Sequence, residues 1–240
     1  MSNKIISVLH LYSNDMNIYG DHGNILTLQR RLEWHGYEPR IIDYNRGDTF
    51  PDSVDIIVGG GGQDSGQNKI QEDLLLISNR LHELAKDDTP MLMICGLYQL
   101  FGKFFKTTDG DVIEGIGIFD AETHAGPERL IGNITIDSEL FGKIIGYENH
   151  SGQTFLGSGV QPLGNVRVGA GNNGADGLEG ALFKNVIGSY LHGPLLPKNP
   201  AIADFLINKA AIKKYGEFKP SKINDRLTEL ARATALKRPR

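Results

Sequence analysis

The run Met91-Leu-Met-Ile-Cys95 offers no polar side chain to water, so a strand built from it must be covered on both faces. Such strands belong to parallel sheets with helices on both sides, and the first hundred residues read that way throughout. Ile5 to Leu11 is another short apolar run. Asn24 to Trp34 carries Ile25, Leu28 and Leu32 at helical spacing, and Gly36 ends it. Arg40 to Tyr44 and Val54 to Val58 are read as the second and third strands. Ile70 to Leu84 places Ile70, Leu74, Ile77, Leu81 and Leu84 on one face and is read as one helix. From Val112 to about Arg167 the pattern changes. Short apolar pieces (Ile116 to Phe119, Ile131 to Ile136, Ile144 to Tyr147, Thr154 to Leu156) alternate with glycines and predict antiparallel strands and turns laid against the main sheet. Gly164 to Gly180, rich in Gly and Asn, is predicted to be an exposed loop. Asn185 to Leu191 reads as a last buried strand, and Asn199 to about Lys214 and Ile223 to Leu236 as closing helices. With no repeat and no long linker, a single α/β domain over 1–240 is expected, with a core at about 4–212 and a helical tail at about 217–240.

Composition narrows the function classes. A formal net charge of −4 gives no reason to expect nucleic acid as the partner. The charge is uneven: Glu217 to Arg240 holds seven Lys or Arg against three Asp or Glu and closes in Lys-Arg-Pro-Arg. That tail reads as frayed and solvated, the alternative being a contact with an acidic partner or anionic lipid head groups. A single cysteine forbids an internal disulfide and fits a reducing compartment. Together with sparse histidines it also argues against a zinc cluster. No apolar stretch approaches the length of a membrane span, and the N-terminus lacks a secretory pattern, so a soluble cytoplasmic protein is expected.

Functional groups of open α/β sheets gather at the carboxyl ends of the strands, and three features fall there. Cys95 ends an apolar strand and begins a helix-like segment, a place where helix dipole and free amides favour a thiolate. The Gly96 amide would then point at a developing oxyanion. The alternative is a buried structural cysteine. Gly59-Gly-Gly-Gly62-Gln-Asp64 lets backbone approach a ligand closely, as the other half of an oxyanion hole or as a plain turn. A phosphate loop fails, because Gln67-Asn68 stand where Lys and Ser or Thr are required. His192, in Gly188-Ser-Tyr-Leu-His192-Gly-Pro, ends another apolar strand and is placed to serve as a base for Cys95. His124 and His150, in glycine-containing loops, are weaker candidates, and His10, His22, His35 and His82 have no supporting context. Arg129 has the fork geometry for a carboxylate clamp, although an arginine read alone is more often a surface residue.

Four pieces in order carry a family resemblance. They are the glycine loop, the cysteine elbow with Gln99 four residues on, Gly146-Tyr-Glu-Asn-His150-Ser-Gly152, and Tyr190-Leu-His192-Gly. Together they resemble the class I glutamine amidotransferases, in the cobyric acid synthase-like branch, over most of the chain. The stretch from His10 through Asn17, Gly20, Asp21 and Gly23 to Asn24 is similar to the freestanding glutaminase subunits of bacterial lipid II isoglutaminyl synthases. The resemblance implies a three-layer fold with a mostly parallel sheet, and glutamine hydrolysis with Cys95 as nucleophile and His192 as base. It implies glutamine binding by Arg129, with Gly61, Gly96 and Gln99 also at the substrate. It implies no cofactor in this chain. The partner is a Mur-ligase-like (MurT-type) subunit that uses ATP and Mg²⁺ to amidate the D-glutamate α-carboxyl of lipid II, so membrane proximity is at most peripheral. Two departures stand out. Met93 and Leu97 replace the glycines that usually flank the cysteine, and Pro194 stands where a glutamate usually completes the triad. The third member must come from elsewhere in the chain or from the partner, or be absent; the partner is the working expectation. Rival readings are a glutaminase feeding a corrinoid amidase, a γ-glutamyl hydrolase or cysteine peptidase, and a binding subunit without catalysis. Members of the corrinoid branch are usually fused to their synthetase.

Overall fold

The computed structural model describes residues 4–18 and 20–238. Strand β1 (Ile5–Leu11) pairs in parallel with β2 (Glu38–Tyr44) on one side and β3 (Ile56–Gly59) on the other. β3 pairs in parallel with β4 (Met91–Ile94), and β4 with β12 (Val186–Ser189). An antiparallel edge strand, β11 (Ala181–Phe183), completes the order β11-β12-β4-β3-β1-β2. Every residue of β3, β4 and β12 is buried, as strands covered on both faces require. The cover comes from two helix groups. Helix α1 (His22–Trp34) packs with α5 (Leu195–Lys198) and α6 (Pro200–Tyr215), while α2 (Asp64–Leu76) packs with α3 (Ser78–Lys86) and α4 (Gly96–Phe101). The single helix expected over 70–84 is therefore two. The break at Ile77 went unseen because Ile70, Leu74, Leu81 and Leu84 stay buried across it, so the apolar period continues.

The second sheet is built on a long hairpin, β7 (Ala121–Ser138) and β8 (Gly142–Leu156), whose register shifts between Ala125 and Leu130. Strand β5 (Phe104–Lys106) joins β7 in parallel, and β6 (Val112–Glu114) joins β5. On the other side lie β9 (Gly164–Val168) and β10 (Leu178–Glu179). The short pieces expected between 131 and 156 are thus parts of two long strands, and 116–119 is not a strand. Gly164 to Gly180 is corrected from an exposed loop to a structured return. Side chains replace its missing ladder: Glu148 accepts the amides of Ala170 and Gly171, and buried Asn172 bonds the backbone of Gly180 in both directions.

The two sheets meet at a backbone bridge, where the His192 amide donates to the Tyr147 carbonyl at 2.8 Å and the Tyr147 amide returns a bond of 3.3 Å. The tail helix α7 (Arg226–Ala235) buries no residue, yet it is docked rather than frayed. Buried Arg31 binds Asp204 at 2.6 Å and Asp225 at 2.8 Å, and Arg232 reaches the Lys143 carbonyl and the Asn199 side chain. The last two residues of the closing Lys-Arg-Pro-Arg lie outside the described residues. Among the described residues no helix is long and apolar enough to cross a membrane.

Candidate active site

At the end of β4 the chain turns on Cys95, whose φ of 51° and ψ of −106° lie where side-chain-bearing residues rarely rest. Two hydrogen bonds hold the turn. The Cys95 amide donates to the Ser189 carbonyl at 2.8 Å, and its carbonyl accepts the Gln99 amide at 2.9 Å. A strained strand-to-helix elbow of this kind holds a nucleophile proud of the sheet. The elbow is made without its own flanking glycines because the neighbouring strand provides the room. A Cβ on Gly59 would lie 2.2 Å from Leu97 Cδ1 and 3.1 Å from Met93 Sδ.

His192 follows β12 with its side chain almost wholly buried, and the Cys95 sulfur lies near enough to favour the charged ring. Its Nδ1 lies 3.4 Å from Asp21 Oδ1, and the other Asp21 oxygen accepts the Gly61 amide at 2.7 Å. Gly61 is wedged between the reacting pair. A Cβ there would sit 2.8 Å from His192 Cε1 and 3.1 Å from Cys95 Cβ. Burial alone would weaken proton binding by His192, but the Cys95 sulfur and the Asp21 carboxylate outweigh it and raise the imidazole pKa. Within the chain the carboxylate facing the His192 ring is Asp21, which is 1% exposed. The Gly62 nitrogen lies 3.1 Å from where a Gly96 Cβ would be, so the glycine loop packs against the start of α4 beside Cys95.

A cleft of about 350 Å³ opens at Cys95, lined among others by Gly62, Gln99, Arg129, Asn149 and His150. That is room for an amino-acid-sized ligand. Arg129 sits at the shifted register of β7 and donates from Nε to Asn149 Oδ1 at 2.7 Å. Gln99 lines the cleft and also buttresses it. Its Oε1 accepts from Gln67 at 2.5 Å, and its Nε2 donates to the Tyr190 hydroxyl at 3.1 Å. His150 stacks on the Tyr190 ring at 3.6 Å, with Nδ1 2.7 Å from the Gly152 carbonyl. A carbonyl only accepts, so Nδ1 carries the proton. Burial pushes the His150 pKa down to about 4, and the ring is neutral at physiological pH. His124 and His150 lie in β7 and β8, not in loops.

A model of the CobB/CobQ-like glutamine amidotransferase domain matches residues 7–200. The chain belongs to that family. The Staphylococcus aureus lipid II isoglutaminyl synthase (glutamine-hydrolyzing) subunit GatD is 41% identical over 92% of this chain and 90% of its own length. The GatD subunit of Streptococcus pneumoniae is 40% identical over 88% of this chain and 83% of its own. The fold matches the structure of PurLQS from Thermotoga maritima with a TM-score of 0.61 at 14% identity, over 86% of this chain and 98% of that one.

Of the residues singled out in the sequence of this amidotransferase, Cys95, Gln99 and Arg129 line the cleft; Gly61 lies between Cys95 and His192 with its amide facing Asp21, and Gln99 is held by two side chains. Sequence reasoning missed Asp21, because an aspartate just before a helix reads as an N-cap. It does occupy the N-cap position of α1, but its side chain makes no capping bond and points to His192 and Gly61 instead.

Proposed function

We propose that this chain is the glutaminase subunit of a lipid II isoglutaminyl synthase, working in the cytoplasm with a Mur-ligase-like (MurT-type) partner. The observation that carries this reading is the placing of Cys95, at a strained elbow, and His192 on either side of Gly61, beside a cleft that also presents Arg129. The kinship supports it too, since similarity to GatD extends over nine-tenths of the chain. Arg129 takes the α-carboxylate of glutamine in a charged, two-pronged contact. Cys95 Sγ attacks the carboxamide carbon. The oxyanion is met by the amides of Gly96 and Gly62, each such donor being worth roughly 10²- to 10³-fold in rate. The Gly61 amide is committed to Asp21. His192 gives its proton to the departing nitrogen, the C–N bond breaks, and ammonia leaves a glutamyl thioester on Cys95. Neutral His192 then takes a proton from water, hydroxide adds to the thioester, and the C–S bond breaks to give glutamate. Thiol and imidazole chemistry requires no cofactor in this chain. ATP and Mg²⁺ act on the partner, which activates the D-glutamate α-carboxyl that ammonia converts to D-isoglutamine.

The test is glutamine hydrolysis by purified protein, wild type against Cys95→Ala, with and without a co-expressed Mur-ligase-like partner. Turnover that requires Cys95, with ammonia incorporated into lipid II only when the partner is present, is expected. Turnover indifferent to Cys95 would overturn the reading.

A further inference from the structure

We propose that Asp21 is the positioning carboxylate of this reaction, supplied in cis from the turn before α1, and that it locks the base and the glycine loop into one unit. This rests on the amidotransferase reading of the site and deepens it. The backbone of His192 is fixed by its bridge to Tyr147, but that bridge leaves the ring free to rotate. Asp21 Oδ1, 3.4 Å from Nδ1, is the acceptor that sets the ring's orientation. With the Nδ1 proton directed at a carboxylate, Nε2 is the atom left to carry the transferable proton to and from the reaction at Cys95. Once that proton has gone to ammonia, the same arrangement keeps an Nε2 lone pair aimed at the thioester, as activation of water requires.

The second oxygen has its own task. Oδ2 accepts the Gly61 amide at 2.7 Å, holding the loop that carries the Gly62 amide. Asp21 is thus a two-acceptor bridge, and both acceptors are in use. The packing around it is consistent. A Cβ on Gly60 would lie 2.9 Å from Asp21 Cβ, so the loop comes close to the carboxylate-bearing turn. Pro194, which has no carboxylate to offer, packs on the first turn of α1: a Cβ on Gly23 would lie 2.4 Å from its ring.

The two-acceptor geometry makes a specific prediction about asparagine. An amide has one oxygen and one NH₂ group. The Gly61 amide can be met only by the oxygen, which turns the NH₂ toward His192 Nδ1. That forces Nδ1 to accept and places the neutral-ring proton on Nε2, the wrong tautomer for activating water. Asp21→Asn should therefore be at least as damaging as Asp21→Ala, although it is the closer mimic in shape.

The experiment uses the chain with its partner and measures glutaminase kcat and KM. It also measures the pH dependence of Cys95 alkylation by iodoacetamide, which needs no turnover. The ionisable groups facing the His192 ring are Asp21 from the α1 turn, Cys95 from the elbow and His150 from β8. For Asp21→Asn the expected result is a fall in kcat of roughly 10²- to 10⁴-fold with KM changed by less than about threefold. The alkylation limb that follows His192 should move to lower pH, because the carboxylate that helps hold its proton is gone. Asp21→Glu should restore part of kcat. Asp21→Ser, read by alkylation alone, serves if Asp21→Asn fails to fold. The proposal is overturned if kcat stays within about twofold and the alkylation profile does not move, or if the loss lies in KM. A wild-type chain that turns over glutamine through Cys95 while ignoring Asp21 sinks this inference alone. A chain with no glutaminase activity sinks the functional reading, and the alkylation profile still decides whether Asp21 holds His192.

Discussion

The parallel sheet and the hairpin sheet build opposite sides of one cleft, and they do so differently. Cys95, His192 and the glycine loop stand just past the carboxyl ends of β4, β12 and β3, with the backbone of each fixed by a hydrogen bond from another element. Arg129 stands on the hairpin where the β7–β8 register slips, and 127–129 are exposed to solvent. Groups that exchange protons need sub-ångström placement, and an over-determined backbone provides it. A long charged side chain clamping a carboxylate tolerates more play. On the proposed function, the contrast assigns chemistry to one sheet and recognition to the other.

The largest effect expected is that of Cys95→Ala, which should lower kcat by roughly 10³-fold or more in a glutaminase assay. Arg129→Ala should lower kcat/KM by about 10- to 10²-fold, nearly all of it in KM, as loss of a charged contact to substrate predicts. A kcat loss on the scale of Cys95→Ala would break the division of labour, because the hairpin would then take part in the chemistry. Substitution at glycines sharpens the same contrast. Gly59→Val drives new atoms into Leu97 and Met93 beneath the elbow and should cost about 1–3 kcal/mol in urea unfolding. Gly126→Ala on the hairpin meets first the Gln153 side chain, whose far end can turn aside, and should stay within about 0.5 kcal/mol.

The smallest effect expected involves Glu179, which accepts from the Ser189 hydroxyl and the Tyr190 amide where the two sheets meet. Burial raises its pKa to about 7. A carboxyl whose folded pKa exceeds its unfolded value contributes stability below the unfolded value of about 4.5, and that contribution is lost as pH rises through 7. Glu179→Gln should therefore gain about 1–2 kcal/mol over wild type at pH 8 and little at pH 5, measured as urea midpoints. An equal gain at both pH values would mean that charge burial is not its cause.

The two sheets also differed in how far the sequence revealed them. Strands of the parallel sheet are legible because burial on both faces leaves almost no polar residue in Met91-Leu-Met-Ile, and the positions of Cys95 and His192 follow from their ends. The hairpin sheet was seen only in fragments. Its β7 runs through Gly126, Pro127 and Gly132, residues that punctuate a sequence but here sit at a register shift or along a strand. The return over 164–180 was hidden because side chains of Glu148 and Asn172 satisfy its backbone, a pairing between residues far apart in the chain. Asp21 was hidden for a related reason, since its partner lies 171 positions away and its local setting suggests a helix cap.

The bridge between Tyr147 and His192 makes the base a member of both sheets. Its main chain follows β12 in sequence and pairs with β8, so the placement of the base's backbone is a readout of hairpin order. Fraying of β8 at Tyr147, by heat, denaturant or a nearby proline, would slacken the base while the parallel sheet stayed intact. Turnover is thus set to fail at a gentler insult than the one that melts the fold, and the gap between inactivation and unfolding midpoints gauges how tightly the two sheets are riveted.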